Sequence, residues 1–237
     1  MKEIKQIIST YDTLKVSGFK LALAMVVNIE ESSYRRIGAR MLVSENGVWV
    51  GGISGGCLEG DALQKAQNAI YNNRPSIVTY DTTESDDNQI GIGLGCEGVI
   101  DVLFSPINVD EDNNEIEQLR AIVLKDEPAI LLKVLDTDLV VQRSSSKIIF
   151  SDESRVPFAG VSDKVLNSHL NEIREKERSK VFNISTQDNQ LQKILFEYIK
   201  PEIKLIIIGD NYDAAAIATI AKEMGWVITI VGRKRKI

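Results

Sequence analysis

The chain has 237 residues, a hydrophobic content of 43% and a formal net charge of −6. That length suits one large domain or two ordinary ones, with ample apolar material for a packed core. The acidic balance argues against a general nucleic-acid binder or a membrane-surface protein, and no apolar run is long enough to cross a bilayer or to open the chain as a signal core.

The pattern Ile4, Ile7, Ile8, Tyr11, Leu14 predicts a short amphipathic helix. Phe19 to Ile29 is an apolar run of the kind buried on both faces of a sheet. A polar segment follows from Glu30 to Arg40, and Arg35, Arg36 and Arg40 make it basic within an acidic protein. Three arginines could hold phosphate oxygens in bidentate fashion, or form a merely solvated loop. Arg40 to Val43 and Val48 to Gly51 predict a hairpin, with Asn46-Gly47 as a type I′ turn.

The stretch Gly51-Gly52-Ile53-Ser54-Gly55-Gly56-Cys57-Leu58-Glu59-Gly60-Asp61 joins that hairpin to a helical pattern carried by Leu63, Ala66, Ala69 and Ile70. Its glycines permit positive φ and close approach to a ligand. Cys57 should fall at the start of the helix, where unpaired N–H groups favour anions and thiolates. The alternative is a tight turn with a small buried cysteine.

Ser76 to Asp81 reads as a strand, and an acidic Thr/Ser-rich loop leads to a second glycine cluster, Gly91 to Gly98, holding Cys96 beside Gly93 and Gly95. Val99 to Phe104 is the next strand. Each cysteine of the chain therefore lies in its own Gly-rich turn. Two cysteines far apart make no disulfide framework, and no four-ligand zinc pattern is present. The expectation is a reducing, cytoplasmic setting.

Beyond a polar linker, Pro106 to Glu115, a worn second copy follows. Ala129 to Leu135 repeats the apolar strand, and Ser146 to Ser151 matches Arg40 to Glu45. Phe158 to Ser162 matches Val50 to Ser54, Val165 to Ile173 is helical, and Leu191 to Tyr198 parallels Val99 to Phe104. The repeats are 20–107 and 129–200, and the second lacks both cysteine-bearing turns. His169 falls on its helix as a surface or packing residue.

From Glu202 the character changes. Leu205 to Ile208 predicts a buried, parallel-type strand, Gly209 to Ala214 a turn, Ala215 to Met224 a helix and Trp226 to Val231 a strand. This is the opening βαβ of a Rossmann-type unit with a degraded fingerprint. Asn211 replaces the second glycine, and Gly232-Arg233-Lys234-Arg235 stands where an acidic residue would bind ribose. NAD(P) binding through Gly209 and Asp213 is therefore disfavoured. A lone βαβ exposes an apolar edge, so a partner chain, such as a second copy in a homodimer, or further chain should complete it.

The fold class is thus α/β: a mixed α/β domain over 1–200 with internal duplication, and a truncated Rossmann-type unit over 201–237. The segments Ser-Ser-Tyr-Arg-Arg-Ile-Gly-Ala-Arg-Met (32–41), Gly-Gly-Ile-Ser-Gly-Gly-Cys-Leu-Glu-Gly-Asp (51–61) and Gly-Leu-Gly-Cys-Glu-Gly (93–98) resemble the XdhC/CoxI family of accessory factors of xanthine dehydrogenase and carbon monoxide dehydrogenase. The resemblance implies binding of the molybdenum cofactor (molybdopterin), protection during sulfuration and delivery to an apo molybdenum hydroxylase. A cysteine desulfurase is then an implied partner, and the protein a non-catalytic chaperone. Cys57 and Cys96 match the family's cysteines and are candidates to contact molybdenum. Arg35, Arg36, Arg40, Gly55, Gly56, Glu59, Gly93 and Gly95 are candidates for the cofactor cradle, and Asp61 for a pterin hydrogen bond. A nucleotide-dependent oxidoreductase and a non-catalytic assembly module are the alternatives.

Overall fold

The computed structural model describes residues 1–81, 98–135, 146–150 and 157–232. The N-terminal half comprises α1 (Lys2–Val16), β1 (Leu21–Glu31), β2 (Arg40–Ser44), β3 (Trp49–Gly51), α2 (Glu59–Asn72), β4 (Ser76–Asp81) and β5 (Gly98–Ile107). Its strands form an antiparallel five-stranded sheet in the order β3-β2-β1-β5-β4. A second group comprises α3 (Glu115–Lys125), β6 (Ala129–Val134), β7 (Ser146–Phe150), α4 (Asp163–Lys176), β8 (Lys180–Ser185) and β9 (Leu191–Ile199).

The second sheet runs β7-β6-β9-β8, the same order as β2-β1-β5-β4. Where β3 would fall, an isolated bridge joins Phe158 and Val161. In both sheets a helix precedes the central strand and another crosses from the hairpin to the edge strand. Strands and crossing helices thus follow the same order in the two sheets.

Alternation along the central strands explains how the halves meet. Ala22, Ala24 and Val26 face α2, packing on Ala62, Ala66 and Ala69; alanine on both sides brings helix and strand close. Leu21 and Leu23 face the other way, into a core shared with α1, α3 and Leu131 of β6. Ile130, Leu132 and Val134 turn outward onto Leu166, Leu170 and Ile173 of α4. The layers are thus α2, first sheet, α1 with α3, second sheet, α4. Beside the helical layer the sheets touch directly, through Met25, Val27 and Leu103 against Leu135 and Leu195. Antiparallel β1 is buried on both faces because helices cover each.

Two elements go beyond the sequence expectations. Helix α3 begins inside the acidic segment, capped by Asn114, whose side-chain oxygen accepts from the N–H groups of Ile116 and Glu117. Strand β8 lies at a sheet edge. The β2–β3 hairpin differs from expectation in its turn. Gly47 alone has positive φ (86°), Gly47 N–H donates to Ser44 O, and Ser44 pairs with Val48. That is a three-residue loop, a type I turn closed by a left-handed glycine, and not type I′.

The C-terminal unit pairs β10 (Lys204–Ile208) and β11 (Val227–Val231) in parallel, joined by α5 (Tyr212–Glu223). The expected burial of β10 is not met: Ile206 is 66% and Ile208 87% exposed. Two strands with one helix leave a face uncovered among the described residues. The unit touches α1 through Lys2, whose ammonium donates to Glu223 O at 2.5 Å, and through the Lys5–Glu202 ion pair at 2.7 Å. No helix among the described residues is long and apolar enough to cross a membrane.

Candidate functional site

The glycine turn between β3 and α2 is shaped by two left-handed glycines, Gly51 (φ 83°) and Gly56 (φ 114°). A Cβ on Gly51 would lie 2.3 Å from the carbonyl oxygen of Arg40, which instead accepts the N–H of Gly52 at 2.8 Å. Past that point the chain is knitted by two side chains. Glu59, in the first turn of α2, reaches back and accepts from the N–H groups of Ile53 (3.2 Å) and Ser54 (2.9 Å) and from the Ser54 hydroxyl (2.5 Å). Ser54 Oγ in turn accepts from the N–H groups of Gly56, Cys57 and Leu58 at 3.3, 3.2 and 3.1 Å.

Burial of the Glu59 carboxyl pushes its pKa up, but the hydrogen bonds from Ser54 and the backbone outweigh it, so the group sits below the ordinary carboxylate value. It is ionised at neutral pH and 7% exposed. The donors expected to cradle an external anion at this helix start are therefore engaged internally, with Ser54 and Glu59 in the ligand's place. Cys57 stands just before the helix, as expected, with an exposed free thiol.

The arginine segment bridges the turn and the head of β5. Tyr34, 73% exposed, lays its ring over Gly55, where an added Cβ would come within 3.2 Å of it. Gly98, paired with Glu31 at the end of β1, lies so close to the Ser32 carbonyl oxygen that a Cβ would be 2.1 Å away. The Cys57 turn, the loop Ser32–Tyr34 and the start of β5 thus share one end of the first sheet. Cys96, Gly93 and Gly95 lie outside the described residues.

The three arginines part company. Arg40 is 3% exposed; its guanidinium donates to Gly38 O at 2.6 Å and, through both terminal nitrogens, to Glu197 on β9. It is an internal strut, and the phosphate role expected of it is corrected. Arg35 pairs with Glu3 of α1, and Arg36 is exposed. Asp61 accepts the Tyr80 hydroxyl at 2.7 Å; burial, then this carboxylate, raises the Tyr80 pKa. His169 stacks on Phe182 with ring centroids 4.1 Å apart, a packing residue whose pKa burial lowers.

At the C-terminal unit Asn211 caps α5, its side-chain oxygen accepting the Ala214 N–H at 3.1 Å. That occupies a donor which a pyrophosphate would need. Among the described residues no group of three or more His, Cys, Asp and Glu side chains could hold a metal ion.

Residues 16–81 match the XdhC and CoxI family. The matched segment contains the arginine loop and the Cys57 turn and ends before the second glycine cluster. Beyond this XdhC/CoxI segment the likeness continues. Over 226 residues, 92% of this chain and 61% of the relative, the sequence is 26% identical to a probable xanthine dehydrogenase subunit from Bacillus subtilis (strain 168). A crystal structure of a xanthine dehydrogenase from Bacillus halodurans is 27% identical, with a TM-score of 0.65 over 94% of this chain and 61% of that one. The chain therefore spans less than two thirds of either relative.

Proposed function

We propose that this chain is an accessory protein of a molybdenum hydroxylase of the xanthine dehydrogenase type, holding the molybdenum cofactor during sulfuration and delivering it to the apoenzyme. The carrying observation is the convergence at one end of the first sheet: an exposed thiol, Cys57, on a turn that touches Tyr34, whose loop in turn abuts Gly98. An exposed thiolate suits a soft, sulfur-bound metal centre. When bound, the cofactor would supply the redox-active metal for the client enzyme, and this chain would supply binding and shielding.

In this reading Cys57, with Cys96 from the second glycine cluster, contacts the molybdenum. Gly55 and Gly56, with Gly93 and Gly95, let the backbone approach the pterin. Arg36 and Arg35 hold the phosphate, Arg35 after exchanging Glu3 for it. Arg40 and Glu59 hold the loop and turn in shape from within. Residues 1–200 act as the cofactor-binding domain, and 201–237 is part of a Rossmann-like unit in which the Asn211 cap disfavours NAD(P). A cysteine desulfurase supplies the sulfur, and the protein works as a cytoplasmic homodimer.

Anaerobic purification from a molybdate-fed host, followed by metal and pterin analysis, tests the proposal. Molybdenum and pterin should co-purify in comparable amounts. Protein free of both would overturn it, and a bound nicotinamide nucleotide would favour an oxidoreductase.

A further inference from the structure

A cavity of about 420 Å³ lies in the seam between the body of the protein and its C-terminal unit. Its volume suits a small molecule, and such sites form preferentially at boundaries of this kind. The start of α1, residues 37–40 and the end of β9 give one wall, and Ile203, Met224 and Trp226 of the C-terminal unit give the other. The two walls touch beside it: a Cβ on Gly225 would lie 2.5 Å from the Lys2 Cβ of α1, and the Val227 N–H, donating to Ile203 O at 2.9 Å, holds Ile203 next to Trp226. Every charged side chain that lines the cavity among the described residues is already paired. Arg40 pairs with Glu197, Arg35 with Glu3, Glu202 with Lys5, Lys200 with Glu177 and Lys2 with Glu223. The apolar wall has no such match: Ile203 is 54% and Met224 56% exposed, and Trp226 is half-buried.

We propose that this seam binds a small neutral aromatic molecule, seated on Trp226, Met224 and Ile203. A charged ligand would have to break a standing ion pair and leave one partner uncompensated, a loss that a neutral ligand avoids. Exposed apolar side chains around an indole gain most from a flat apolar body, through burial and ring stacking. Arg35 is the one ligand-contacting residue shared with the cofactor reading, and the neutral ligand makes no use of its charge, so the two readings stand or fall separately.

The chain has two tryptophans, Trp49 and Trp226, so Trp49→Phe leaves the emission of Trp226 as the reporter on the full chain. In that background neutral N-phenyl-1-naphthylamine should quench Trp226 saturably. It should bind at least about tenfold more tightly than the anionic 8-anilinonaphthalene-1-sulfonate, a difference of about 1.4 kcal/mol. Ile203→Glu should weaken the neutral probe by a similar factor. Met224→Glu, at a second exposed position, serves should that variant not fold, and should have the same effect. Ile208→Glu, on the open face of β10, should leave binding unchanged. Equal or tighter binding of the sulfonate would overturn the proposal, as would indifference to both seam variants or loss of binding in Ile208→Glu.

Discussion

Arg40 of β2 and Glu197 of β9, 157 residues apart in the chain, form a bidentate ion pair at the junction of the two sheets. Both are nearly inaccessible, at 3% and 4% exposure. Gly38 makes the approach possible, since a Cβ there would collide with the Glu197 carboxylate at 2.3 Å. The pair ties the arginine loop beside the first sheet to the central strands of the second sheet. Removing one partner strands a buried charge, at a cost of about 3–5 kcal/mol. Glu197→Gln and Arg40→Met should each lower the stability measured by urea titration by that amount. The double variant Arg40→Met/Glu197→Leu should recover much of the loss, and an additive double loss would show that the pairing is not what holds these residues.

Glu59 makes the glycine turn sensitive to acid. Its folded-state pKa is lowered, so the folded protein binds its proton less readily than the unfolded chain does. The stabilisation is complete above the unfolded carboxylate value of about 4.3 and drains away as pH falls through the lower folded value. Glu59→Gln should therefore destabilise the protein at neutral pH by about 1–3 kcal/mol, the cost of unsatisfied turn donors, and should flatten the acid limb of the stability profile. Denaturant titrations from neutral pH down past about pH 4 measure both effects. Parallel acid limbs in the two proteins would locate the titrating group elsewhere.

Much of this architecture is legible in the amino-acid pattern, and the remainder is hidden for definable reasons. The buried central strands β1 and β6 announce themselves by mostly apolar runs, and α2 by Ala62, Ala66 and Ala69 on one face. The two sheets also share a strand order. Helix α3 starts within an acidic stretch that reads as linker, although Asn114 followed by Ile116, Leu119 and Ile122 is a cap and an apolar stripe. The role of Ser54 and Glu59 was accessible too, as a hydroxyl and a carboxylate flanking glycines whose N–H groups need acceptors. The Arg40–Glu197 pair was not, because a contact across 157 positions leaves no local trace. Arginines in a polar loop look alike until packing buries one of them.

Gly98 is a test of how the Cys57 end of the first sheet is assembled. Its neighbours are backbone, the carbonyl oxygens of Ser32 and Glu30, at 2.1 and 2.8 Å from an added Cβ. Rotamer changes cannot relieve such a clash, so β5 or the arginine loop must shift. Gly98→Ala should cost about 1–3 kcal/mol, in the range of overpacked sites. It should also move the amide resonances of Ser32 to Tyr34 and, through the Tyr34 ring, those around Gly55. Perturbation limited to β5 would show that the loop does not couple the two glycine segments.

Cys57 separates function from folding. Its side chain is exposed, and its backbone N–H is engaged by Ser54 Oγ at 3.2 Å. Cys57→Ala keeps that hydrogen bond and removes no buried atom, so stability should stay within the small range of surface substitutions, about 0.5 kcal/mol. Under the proposed function the same change should abolish retention of molybdenum and pterin in anaerobic preparations. Cys57→Ser, which keeps shape but exchanges a soft thiolate for a hard hydroxyl, should fail equally. Retention by both variants would remove Cys57 from the cofactor site, and a large drop in melting temperature would recast it as a structural residue of the turn.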